Sequence, residues 1–188
     1  MVEVHPPLVE FLPRERADQL AGEGVFADDP AGLAAAWERV QELWAAAVAR
    51  ARRLPEGAVE QRVDAEWSFV ETLRHLLFVT DAWVGNVVQE REQPHHPWGL
   101  PPHFLADAAG SLGLDVDARP GLDDVLAVRH ERVERMRAIL GDVTPEELHR
   151  TCTPREGRFT VVGALQTVVF EEWAHHRYAT RDLARLEA

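Results

Sequence analysis

Apolar residues recur three and four positions apart in four long stretches of the chain, the spacing that gives a helix one face able to enter a core. The first stretch opens at Asp29-Pro30, a capping residue followed by a proline suited to a first helical turn. It steps through Leu33, Trp37, Val40, Leu43, Trp44 and Val48 toward Arg53. The second opens at Ser68, with Glu71 at the capping-box spacing, and carries Val70, Leu73, Leu76, Leu77, Val79, Trp83, Val84 and Val87. The third runs from about Leu122 through Val125, Leu126, Val133, Met136 and Ile139, with Gly141 placed to end it. Thr144-Pro145-Glu146-Glu147 predicts a short capped helix, and the fourth long pattern covers about Thr160 to Leu186.

Between the second and third patterns lies a long connection, 93–120, rich in proline, histidine and glycine and holding at most a helical turn around Phe104 to Ala109. The segment 1–28 shows no period and reads as irregular. Sustained two-residue alternation is absent, so strand is not expected beyond a short edge. These elements predict one all-α domain over 1–188, a four-helix bundle with an extended middle connection, the kind of fold that builds sites in its core from facing helices.

Composition narrows the function more than the fold. The 32 acidic residues outnumber the 20 basic ones, for a formal charge of −12, which argues against a nucleic-acid backbone or an anionic membrane surface as partner. Every basic residue is arginine; without lysine there is no Schiff-base chemistry. The single cysteine, Cys152, has no internal disulfide partner and suits a reducing compartment. Met1 to Leu8 has neither the basic nor the apolar region of a signal peptide, and no apolar run is long enough to span a bilayer, so a cytoplasmic location is expected.

The fourth helix carries the candidate chemistry. Its apolar stripe steps through Val161, Leu165, Val168, Ala179, Leu183 and Leu186, and the two middle positions of that stripe are Glu172 and His176. A carboxylate and an imidazole one turn apart on a dry face are costly unless something compensates them, and a divalent metal binds both directly. Acid-x-x-x-His spacing alone is weak: composition gives about 1.5 such pairs by chance. Four occur, at Glu71/His75, Glu92/His96, Glu171/His175 and Glu172/His176. Glu92/His96 sits at a helix exit beside Pro94, and Glu171/His175 flanks the stripe toward Tyr178 and Asp182, so both read as peripheral.

His75, set among Leu73, Leu76, Leu77 and Val79, is by itself an ordinary core histidine. Opposite a buried Glu/His pair it becomes a third ligand, and His75, Glu172 and His176 together leave a coordination position open, as catalytic zinc sites do. The same donors suit iron(II) or nickel(II). Glu71 either orients the His75 ring or simply completes the Ser68 capping box. His95, His96 and His103 sit on a connection that can close over the open end of the bundle. Arg129-His130-Glu131-Arg132 reads as a charged, solvated face, His5 and His149 belong to no constellation, and Cys152 has no neighbour that would activate it.

Three segments resemble a known family. Glu66 to His75 (EWSFVETLRH), His96 to Pro101 (HPWGLP) and Glu171 to Leu183 (EEWAHHRYATRDL) are similar to DinB-family proteins of the actinobacterial type, and the likeness extends from about Trp37 to the end. The resemblance implies a four-helix bundle of up-down-down-up order with a crossover between the second and third helices. It also implies a divalent metal held by one histidine on the second helix and a His-x-x-x-His pair on the last. The mapped positions are His75, Glu172 and His176; glutamate in place of the pair's first histidine resembles the mycothiol-dependent maleylpyruvate isomerase branch, which uses zinc.

The activity that this resemblance implies is that of a metal-dependent S-transferase or isomerase. Such an enzyme joins a low-molecular-weight thiol, of the mycothiol or bacillithiol type, to a small electrophile. Arg177 and Arg181, near the ligand turn, are candidates for holding an anionic thiol or substrate, with a plain helix-surface role as the alternative. Two rivals stand beside this reading: a hydrolase using metal-bound water, and a non-catalytic helical homodimer stabilised by its metal.

Overall fold

Asp29 starts the first long helix as its sequence demands. Its side chain accepts a hydrogen bond from the Gly32 N–H at 2.9 Å, and Pro30 occupies the first turn, where no donor is missed. The computed structural model describes residues 14–153 and 158–188; His5 lies outside them. Six α-helices are described: α1 (Arg14–Gly22), α2 (Pro30–Ala51), α3 (Phe69–Thr80), α4 (Leu122–Asp142), α5 (Pro145–Leu148) and α6 (Val161–Leu186). The fold is mostly helical. The strand content of the described residues is one antiparallel pair, Thr151–Cys152 (β1) against Phe159–Thr160 (β2).

Segment 1–28, expected to be irregular, contains α1, whose Leu20 is buried together with Val25 in the adjoining turn. One inward leucine in nine mostly polar residues gives no period to read, and the helix is stabilised by docking rather than by its own pattern. The third long helix runs one residue past Gly141, through Asp142. Elsewhere the caps fall where expected. Ser68 and Glu71 close a reciprocal capping box on α3, while Thr144 and Thr160 cap α5 and α6.

The four long helices close a ring of contacts in which α2 and α3 each pack against both α4 and α6. Trp37, Val40 and Trp44 of α2, Leu73, Leu76 and Leu77 of α3, Met136 of α4 and Leu165, Val168 and Leu183 of α6 fill the centre. Each such side chain contributes about 1.5–3 kcal/mol by leaving water. α3 is buried nearly all round; after Thr80 it continues as a wider π-helical segment, Asp81–Val88. At Gly85 an added Cβ would lie 2.6 Å from the Cβ of Pro94, so only glycine lets the connection pass this close.

That connection is pinned by one buried cation. The Arg74 side chain, 1% exposed, donates to the carbonyls of Trp98 at 2.9 Å, Ala118 at 2.7 Å and Asp115 at 3.0 Å. The Leu100 N–H returns a bond to the Arg74 carbonyl. A loop without regular structure must satisfy its inward carbonyls somewhere, and a single guanidinium does so for three of them. The expected turn near Phe104 is a 3₁₀ segment, His103–Leu112.

Candidate metal centre

Pinning the connection also sets His75. Its Nδ1–H donates to the Leu100 carbonyl at 2.9 Å, which leaves the Nε2 lone pair free to accept. Nε2 lies 4.0 Å from Oε2 of Glu171 on α6, and the His75 and His175 rings are 4.8 Å apart between centroids. Glu171 and His175 are one turn apart on a shared face, with His175 Nδ1 3.2 Å from Glu171 Oε2. The same Nδ1 bonds the Glu171 carbonyl at 3.0 Å. Ligand atoms from His75, Glu171 and His175 all lie within 4.8 Å of one another, and among the described residues no other His, Cys, Asp and Glu side chains gather this closely.

Electrostatics suit His75 to a cation, while a metal would have to displace the proton that Glu171 favours on His175. Burial, reinforced by the neighbouring His175, holds His75 well below the usual imidazole range, at about 4, so the ring is neutral and able to ligate. Burial also works against charge on His175, but its contacts with the Glu171 carboxylate and carbonyl outweigh that and raise it. Two imidazoles and one carboxylate are a donor set for zinc, iron(II) or nickel(II), with positions left over for exchangeable ligands.

Aromatic rings enclose the group. The Trp67 indole lies 4.5 Å from the His75 ring and 6.3 Å from that of His175, nearly parallel to the latter, and the His103 ring lies 5.8 Å from Trp67. Trp67 ends a turn in which Asp64 and Ala65 take positive φ, 52° and 64°. The turn is tied to α6 by ion pairs of Glu66 with Arg181 and of Asp64 with Arg185. Phe78 stacks on His75, and His95 on Phe78.

The sequence-derived ligand set and this group share His75 but differ by one residue at each α6 position, a rotation of about 100° around the helix. The structure does not bring Glu172 and His176 to His75. Glu172 is 1% exposed, as its place on the stripe required, and its compensating charge is Arg129 of α4, bonded to its two oxygens at 2.7 and 2.5 Å. His176 packs edge-on against Trp44 at 5.5 Å, and the Trp44 Nε1–H donates to the Glu172 carbonyl. Arg129 and Arg132, expected on a solvated face, are buried; Arg132 pairs with Asp81 of α3's continuation. His130 between them is exposed as expected.

Glu71 takes the capping-box role and pairs with Arg62, and Leu100 rather than Glu71 orients His75. Arg181 is engaged by Glu66 and Asp182, and Arg177 lies over the Trp173 ring. Sequence reasoning gave Trp67 and Arg74 no role and set Arg129 on the wrong face.

A profile of the DinB superfamily matches residues 36–179, which takes in α2 from its second turn, α3, α4 and α6 up to Ala179. The chain belongs to the DinB superfamily. No curated protein and no solved structure gives a significant match. In this DinB protein the matched span contains all three grouped side chains and the Arg129–Glu172 pair. Among the described residues no helix is long and apolar enough to cross a membrane.

Proposed function

We propose that this DinB protein holds a divalent cation, zinc first among the metals its donors suit, between His75, Glu171 and His175. The further part of the proposal is that it uses the cation to join a small external thiol to an electrophile, as an S-transferase or isomerase. The observation that carries the metal reading is the convergence of three ligand atoms within 4.8 Å, with His75 Nδ1 already committed to Leu100. A bound divalent ion supplies positive charge that lowers the pKa of a thiol or water beside it.

The chain's own residues do the rest. His75 offers a neutral ring held in one orientation, Glu171 offers negative charge, and Trp67 shields the group from bulk water. The nucleophilic sulfur is external on this reading. Cys152 is fully buried in β1, and burial pushes its thiol up, away from reactivity. The up-down-down-up order with 93–120 as crossover is part of the same proposal, supported by the ring of contacts among α2, α3, α4 and α6.

The test is elemental analysis of protein purified without chelator, followed by thiol-conjugation assays on the loaded protein. Wild type is expected to carry about one divalent ion per chain, and His75→Ala, Glu171→Ala and His175→Ala to carry little. His176→Ala should keep it. A metal-free wild type, or loss confined to His176→Ala, overturns the reading.

A further inference from the structure

We propose that the mouth of this centre is an aromatic clamp for a planar, uncharged ring, so that the ligand is a flat apolar body bearing a metal-binding head. The inference rests on the metal reading above and adds the class of molecule that the site accepts. Large apolar side chains exposed at a surface are informative when they gather at one place. Among the described residues those so exposed are Phe104, Val116 and Tyr178, at 65%, 37% and 54%. One of the three, Tyr178, touches a candidate ligand. The Tyr178 ring meets the His175 ring edge-on at 6.1 Å. Phe104 follows His103, whose ring faces the Trp67 indole, and that indole faces His75.

Two separate segments, α6 and the turn 61–67, thus each bring an aromatic ring to these imidazoles, and the middle connection sets the His103 ring against Trp67. Such rings offer flat faces and polarised edges, which favour another flat ring over a saturated one. Charge favours the same occupant. Arg181 lies over Tyr178 at 5.6 Å but is bound by Glu66 and Asp182, and Glu171 adds negative charge below. The cation in contact with Tyr178 is therefore already engaged, and Arg177 is turned onto the Trp173 ring, which disfavours the anionic body that these two arginines suggested from sequence.

The test uses cobalt(II)-loaded protein and two hydroxamates that share one metal-binding head, benzohydroxamate and cyclohexanecarbohydroxamate. Each is titrated against the visible absorption of the cobalt. Wild type is expected to bind the planar ring about fivefold more tightly, in line with one or two aromatic contacts. Tyr178→Ala and Trp67→Ala should each bring the ratio to within about twofold, while Trp67→Phe retains it. Tyr178 is exposed, so its variant keeps the test alive should Trp67→Ala fold poorly. Equal affinities in wild type, or a preference that survives both alanine variants, overturn this inference and leave the metal reading standing. A wild type that takes up no cobalt overturns both.

Discussion

Arg129 of α4 and Glu172 of α6 form a closed, two-pronged ion pair inside the bundle, with bonds of 2.7 and 2.5 Å and side chains 7% and 1% exposed. Beside it, Glu171 points to a different neighbour, the imidazole of His175. Adjacent glutamates on one helix therefore have separate partners, one in a closed internal ion pair, the other in the candidate ligand group.

Their substitutions should separate cleanly. Removing one partner of a buried pair leaves an uncompensated charge and costs about 3–5 kcal/mol. Glu172→Ala is therefore expected to lower the urea midpoint strongly. Glu171→Ala, at a half-buried position whose partner His175 can release its proton when the carboxylate is gone, should leave metal-free stability within about 1 kcal/mol and remove metal binding. Equal stability losses at the two positions would contradict this division.

The periodic signal of α6 made the burial of Glu172 legible but not its partner. Spacing tells which positions face inward; it does not say which neighbouring helix supplies the opposite charge, because that depends on how the helices are ordered. A hint lay in α4, whose inward positions Val125, Val133, Met136 and Leu140 share their face with Arg129 and Arg132. Two inward cations call for two inward acids, and Glu172 and Asp81 answer them. Once Glu172 is spent on Arg129, the pair free to meet His75 is Glu171/His175. Trp67 was beyond such reasoning, since it lies outside any helix and reaches His75 through a turn with two left-handed residues. The helix starts were legible because Asp29, Ser68, Thr144 and Thr160 each cap their own first turn, a contact within three residues.

Arg74 and His75 act on the middle connection side by side, so damage to one should reach the other. Arg74→Met keeps the bulk but takes a charged donor from three inward carbonyls, and that of Trp98 has no other, while Asp115 and Ala118 keep bonds from the Ala118 N–H and Arg119. A loss of about 3 kcal/mol or more is expected. The Leu100 carbonyl that orients His75 should also loosen, lowering metal affinity by about 10-fold. Chemical denaturation and competition against a chromophoric chelator would measure the two effects. Unchanged affinity in a destabilised variant would show that Leu100 is held without Arg74.

Added zinc should stabilise the folded chain by mass action. At 100-fold excess over its dissociation constant the gain is about 2.7 kcal/mol, provided the unfolded chain binds weakly. Thermal melts should rise with zinc in wild type and His176→Ala, return to baseline with chelator, and stay flat in His175→Ala. A zinc response that persists in His175→Ala would mean the ion binds elsewhere.

Acid should weaken the metal-free protein before any carboxylate titrates. Burial holds His75, His95, His96 and His176 below the usual imidazole value. In the unfolded chain each takes up a proton near pH 6.5. Folded His75 refuses one until about 4, so the unfolded state gains protons first and stability falls as the pH drops between these values. For His75 alone the slope is about 1.4 kcal/mol per pH unit. His175, raised, acts with the opposite sign, but its effect is complete once the pH has fallen to about 6.5. The carboxylates of Glu38 and Glu71, lowered chiefly by their bonds from Arg137 and Arg62, add a further loss at still lower pH. Urea midpoints in chelator should therefore drop between about pH 7 and pH 5, and His75→Gln should flatten part of that drop. A midpoint constant over this range, or one that rises toward acid, would refute the assignment of His75 as a neutral, buried base.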